Sequence, residues 1–175
     1  MQVYSEIFPY HYSIEKLKKF NPKGIILSGG PSSVHDQGAP HRSIQELREV
    51  APLLGLCYGM QLMAQDLGGE VVRSTHREYG LTYVQWKDTS MSPTETQVVW
   101  MSHGDTVHRL PKDFEAVAQT QSGVMAAMRG SGMMAFQFHP EVSHTQNGET
   151  LLGKFVFEMC GAKAEWSSKN IIEEI

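Results

Sequence analysis

Two glycines bracket a cysteine in Gly55-Leu56-Cys57-Tyr58-Gly59, and this pentapeptide joins an apolar run, Leu53-Leu54-Gly55-Leu56, to a helix-like stretch over residues 58–67. A strand that becomes a helix through one non-glycine residue must bend sharply, and glycines on either side let the helix lie close against the strand. The chain upstream keeps the same rhythm. Residues 3–8 are half-alternating and read as a strand; Ser13 is placed to cap a short helix carrying Ile14, Leu17 and Phe20. Gly24-Ile25-Ile26-Leu27 reads as a strand between Pro22 and Ser28-Gly29-Gly30-Pro31, and residues 43–50 read as a helix. Strand and helix in alternation predict an α/β domain, an open and mainly parallel sheet with helices on both faces. In such a sheet, chemistry belongs at the C-terminal ends of the strands.

Past Gly68-Gly69 the texture changes. Short strand-like runs at 71–72, 81–86, 98–101, 116–120, 124–128 and 133–138 predict a small antiparallel sheet, and residues 149–160 predict a last amphipathic helix with Leu151, Leu152, Phe155, Val156 and Met159 on one face. A polar stretch from 162 reads as a linker, which makes 1–161 the domain and 162–175 the tail. The 175 residues suffice for one core, and 41% hydrophobic with 19% charged residues is a globular composition. A net charge of −4 argues against a nucleic-acid partner, and the longest apolar run, 124–128, is far too short to span a membrane. Two cysteines without a CxxC point to reduced thiols and a cytoplasmic protein.

The chemistry rests on Cys57. At a strand-to-helix elbow the sulfur stands at the N-terminus of the following helix, a position that favours thiolate over thiol; the competing reading is a buried structural cysteine. His139 and Glu141, two apart in Phe138-His139-Pro140-Glu141, would face the same way in extended chain, which allows nucleophile, base and orienter in the order Cys, His, Glu. A solvated strand end or half a metal site is the alternative. The loop Ser28-Gly29-Gly30-Pro31 offers backbone N–H groups to an oxyanion beside the N–H of Tyr58; a phosphate cradle or a plain turn are its rivals. Trp100-Met101-Ser102-His103-Gly104-Asp105 reads either as a substrate-facing rim or as a strand end with its turn. A near P-loop at 148–155 has Phe155 where Ser or Thr is needed, and Gly130-Ser131-Gly132 leads into a strand, so it reads as a hairpin turn. The eight histidines show no zinc spacing, so no metal is assigned.

Taken together, segments 24–33, 55–69, 77–80, 100–105 and 136–145 resemble the class I glutamine amidotransferase domain, with its flavodoxin-like fold. Arg77-Glu78-Tyr79-Gly80, the 100–105 segment and His139-Pro-Glu-Val-Ser-His-Thr145 narrow the resemblance to the GMP synthase branch. The resemblance implies Cys57 as nucleophile, His139 as base then acid, and Glu141 as orienter. It implies oxyanion donors at Gly30 and Tyr58, with Gln61, Ser102, Gly104 and Asp105 holding the amino-acid end of L-glutamine. It further implies a synthetase (ATP pyrophosphatase) partner domain, in the same or another chain, that uses ATP and Mg²⁺; no cofactor in the present domain; and a homodimeric full-length enzyme. Against the family pattern, an N-terminal strand and helix are expected but missing, and Leu81-Thr82 is unusual. Other readings of the same residues are the amidotransferase subunit of an anthranilate or carbamoyl phosphate synthase, a γ-glutamyl hydrolase, and a non-catalytic regulatory domain.

Overall fold

The computed structural model describes residues 1–166, excepting the side chains of 75–77; the proposed linker from 167 onward lies outside the described residues. The elements run α1 (Ile14–Phe20), β1 (Ile25–Leu27), α2 (Ile44–Arg48), β2 (Leu53–Leu56), α3 (Tyr58–Asp66), β3 (Glu70–Trp86), β4 (Thr96–Arg109), β5 (Glu115–Thr120), β6 (Met125–Gly130), β7 (Met133–Phe136) and α4 (Gly148–Gly153), which continues as a π-helix, Lys154–Met159. Local chemistry explains the helix starts. Ser13 Oγ accepts from Lys16 N and Ser43 Oγ accepts from Glu46 N, satisfying N–H groups that no helical carbonyl can reach.

One seven-stranded sheet, ordered β1-β2-β7-β6-β5-β3-β4, carries the fold. β1, β2 and β7 are parallel, and the other pairs are antiparallel. The antiparallel strands expected as a separate small sheet instead continue the parallel one. Alternation along β2 divides the core: Leu54 and Leu56 face a cluster with Phe136, Phe138, Leu151 and Phe155, while Leu53 faces one with Ile44, Met60 and Met63. Helices therefore cover both faces of the parallel part, α2 and α3 on one side and α4 on the other.

Three expectations shift. Residues 3–8 are not a strand. No strand pairs with this segment, and ring contacts hold it instead, Tyr4 against Phe20 and Trp166 and Phe8 against Tyr12 and Phe20, with Ile7 fully exposed. The runs at 71–72 and 81–86 fuse into β3, whose partner β4 passes straight through 100–105 to Arg109. The polar, glycine-containing stretch that suggested a turn is mid-strand, because the ladder to β3 outweighs local turn propensity. Finally, β7 ends at Phe136, so His139 and Glu141 lie on the loop beyond it. The turn at Ser131-Gly132 does join β6 to β7 as a tight hairpin, with Gly130 opposite Met133. Among the described residues no helix is long and apolar enough to cross a membrane.

Candidate active site

Cys57 links β2 to α3 with φ 50° and ψ −104°, a left-handed conformation that is strained for a residue with a side chain. Three features hold it there. Its N–H donates to Phe136 O (2.7 Å), extending the β2–β7 ladder one residue past the strand, and its carbonyl accepts the first α3 bond, from Gln61 N. The glycines on either side are the third. A Cβ at Gly55 would lie 2.6 Å from Met63 Sδ, and one at Gly59 would lie 2.2 Å from Leu27 O, so both must be glycine for α3 to seat on the sheet. Cys57 is only 4% exposed, and its thiol donates to the Ser102 carbonyl at 3.5 Å.

The loop after β7 is stitched to β4. His139 N donates to Trp100 O, Gln146 N donates to Val98 O, and Thr145 Oγ1 donates to His139 O while accepting from Trp100 N. His139 Nδ1–H donates to Glu141 Oε1 at 2.7 Å, which fixes the ring and leaves Nε2 as the nitrogen not committed to Glu141. The Cys57 sulfur first, and then the Glu141 carboxylate, push His139 up to about 10 against the opposing effect of burial. At neutral pH His139 is therefore held protonated between the Cys57 sulfur and the Glu141 carboxylate. Burial would raise Glu141, but the hydrogen bonds from His139 and from its own backbone N–H outweigh it and hold the carboxyl below its usual range. Replacing Glu141 by Gln is expected to lower the His139 titration midpoint clearly below 10, followed by the imidazole ring-proton resonances; an unchanged midpoint would mean the carboxylate has no hold on the ring.

The other expected residues distribute unevenly. The glycine pressed into the site is Gly29: a methyl there would stand 3.1 Å from His139 Cε1 and 3.5 Å from Cys57 Cβ, whereas one at Gly30 would meet open space. Gly29→Ala should therefore push the imidazole aside by a few tenths of an ångström, shifting the His139 ring-proton resonances with little change in melting temperature; unshifted resonances would show that the wedge is not there. The Tyr58 N–H is one of the first-turn groups of α3 that lack a helical acceptor, and its hydroxyl is committed to Pro40 O. Ser102 is exposed and Gly104 half-buried on one face of β4, while Asp105 is buried on the other with His103. Gln61 is 3% exposed, and its amide is engaged with Asp105 O and Gln137 Oε1.

Sequence reading missed Gln137, His103 and Glu78. Gln137 is fully buried, and its Nε2 donates to Cys57 Sγ at 3.7 Å; an amide inside the apolar run 133–138 was the available signal. His103 Nδ1–H donates to Asp105 O, while its Nε2 faces Glu78 Oε2 at 3.4 Å, both atoms buried without another partner. Burial pushes His103 down, opposed by the Glu78 carboxylate beside it. Cys160, the other thiol, is pushed up to about 11 by burial.

Comparison with known proteins agrees with this geometry. The model of the family described as class-I glutamine amidotransferase matches residues 1–159. Among curated proteins, GMP synthase [glutamine-hydrolyzing] of Bdellovibrio bacteriovorus is 50% identical over 171 residues, covering 98% of this chain and 34% of its own, and that of Bacillus mycoides is 45% identical over 176 residues with the same coverage. The chain thus spans about a third of the length of these relatives. Among solved structures, a candidate GMP synthase subunit from Thermoplasma acidophilum superposes with a TM-score of 0.72 at 26% identity, covering 97% of this chain and 84% of its own. A glutamine amidotransferase from Methylobacillus flagellatus shares the fold, at a TM-score of 0.64 and 22% identity, over 89% of this chain and 60% of its own. With the elbow, the loop after β7 and these matches in agreement, the chain belongs to the class I glutamine amidotransferase family.

Proposed function

We propose that this chain is the glutamine-hydrolysing part of a GMP synthase, releasing ammonia for a synthetase portion that aminates XMP with ATP and Mg²⁺. One observation carries the reading: a cysteine held at a strained strand-to-helix elbow, with its sulfur beside a histidine that a carboxylate orients. The Cys57 thiolate attacks the side-chain carbonyl carbon of glutamine. The developing oxyanion lies at the N-terminus of α3, where the Tyr58 N–H and the Gly29-Gly30 backbone are the nearby donors, each such donor being worth roughly 10²–10³ in rate. His139, already protonated, gives its Nε2 proton to the departing nitrogen, so ammonia leaves and a γ-glutamyl thioester remains on Cys57. Neutral His139 then takes a proton from water, whose oxygen attacks the thioester and frees glutamate. Ser102 and Gly104 share one face of β4, with the Ser102 carbonyl against the sulfur, and the amino-acid end of glutamine would rest there; Asp105 and Gln61 lie buried behind it.

Combining the chain with a GMP synthase synthetase portion, ATP, Mg²⁺ and XMP should make GMP from glutamine, with one glutamate formed per GMP. Glutamine-dependent amination of chorismate or carbonate, with XMP left unchanged, would assign the chain to a different synthase.

A further inference from the structure

Behind the nucleophile runs a line of polar groups, hydrogen-bonded from His103 inward, with Glu78 facing His103 Nε2 but not hydrogen-bonded to it. At its outer end Ser122 Oγ donates to Glu78 Oε1, and Glu78 Oε2 faces His103 Nε2 across 3.4 Å. From there inward the groups are buried. The Asp105 carbonyl can only accept, so the His103 nitrogen beside it, 2.9 Å away, carries a proton, and the Gln61 amide atom 2.9 Å away is nitrogen. The same Gln61 Nε2 donates to a Gln137 atom at 3.3 Å, which must then be Oε1. Gln137 is left with Nε2 toward Cys57 Sγ, at 3.7 Å.

We propose that Gln137 is the fixed hydrogen-bond donor to the Cys57 sulfur in its reactive, anionic form, its amide kept from turning its oxygen toward the sulfur by the bonds through Gln61 to the Asp105 carbonyl. A freely rotating amide would present oxygen part of the time and repel the thiolate. Here a reversed Gln137 amide would set its Nε2 against Gln61 Nε2 and leave its own buried carbonyl oxygen without that donor, and such loss is costly in an interior. The arrangement explains why a strand end otherwise lined by Phe136 and Phe138 buries an amide. The charged or titratable groups around the sulfur are His139 with Glu141 behind it on the loop after β7, His103 and Asp105 on β4, and Glu78 on β3. Gln137 is the neutral donor among them.

The inference rests on Cys57 being the nucleophile, and the test separates the two. Cys57 is alkylated with iodoacetamide at pH 7 in the wild-type chain and in Gln137→Leu and Gln137→Glu, and its modification is followed by mass mapping; thermal melting shows which variants fold. Loss of a hydrogen bond to a charged group should slow alkylation of Cys57 about tenfold in Gln137→Leu. Gln137→Glu keeps the shape but turns a carboxylate oxygen toward sulfur and should slow it at least as much, so this variant decides the matter if the leucine variant does not fold. In glutamine hydrolysis both should lose kcat with KM little changed, a split that simple loosening of the core would not produce. Alkylation of the folded variants within twofold of wild type overturns the inference and leaves the nucleophile assignment standing. Glutamine hydrolysis that survives Cys57→Ala instead overturns the assignment itself.

Discussion

Cys57→Ala is expected to stop glutamate release altogether while leaving the melting temperature within a few degrees of wild type. Removing the sulfur removes the atom that forms the thioester, and water held by the remaining donors would attack the amide at least about 10⁴ times more slowly. The fold does not need the sulfur. The elbow is held by the Phe136 carbonyl, the first α3 bond and the two glycines, all of which survive in the variant. His139, without the sulfur beside it, should titrate below about 10, since contact with that sulfur is the largest contribution holding the proton on the ring. A Cys57→Ala chain that still hydrolyses glutamine would leave the imidazole and carboxylate with some other task.

Gly59→Ala is the opposite case, a variant that leaves every reacting group in place and breaks the frame. The added methyl would sit 2.2 Å from the Leu27 carbonyl oxygen and 2.8 Å from Leu27 Cβ. A backbone oxygen on β1 cannot rotate away as a long side chain would, so α3 must lift from the sheet and carry Cys57 with it. Overpacking against backbone should cost about 3 kcal/mol or more, a fall of roughly 10 °C in melting temperature for a domain of this size. Activity should fall with it. Melting within about 2 °C of wild type would mean that α3 rides higher on β1 than described.

The two variants also mark how much was legible in the chain itself. The elbow was, because seating α3 close on the sheet demands glycine at both 55 and 59, where a Cβ would meet Met63 Sδ and the Leu27 carbonyl. His139 and Glu141 were legible as a pair, although they meet across a loop rather than along a strand. What the sequence hid depends on long-range pairing. Ser102 to Asp105 looks like a strand end because serine, glycine and aspartate favour turns, yet β3 opposite it supplies a ladder that carries the strand on to Arg109. Residues 3–8 have the alternation of a strand, but alternation needs an edge to pair with, and ring contacts with Phe20 prevail instead. The choice between Gly29 and Gly30 turns on a few tenths of an ångström at His139, and the direction of the Gln137 amide is set by the Asp105 carbonyl, far away in sequence on another strand.

The most direct test of the central claim is covalent labelling with a glutamine-like diazoketone, which alkylates the nucleophile only after binding as glutamine does. Peptide mapping should place a single modification on Cys57, prevented by excess glutamine, with Cys160 unmodified because burial keeps that thiol protonated up to about 11. Modification of Cys160 in its place, or labelling of Cys57 that excess glutamine does not slow, would contradict the account.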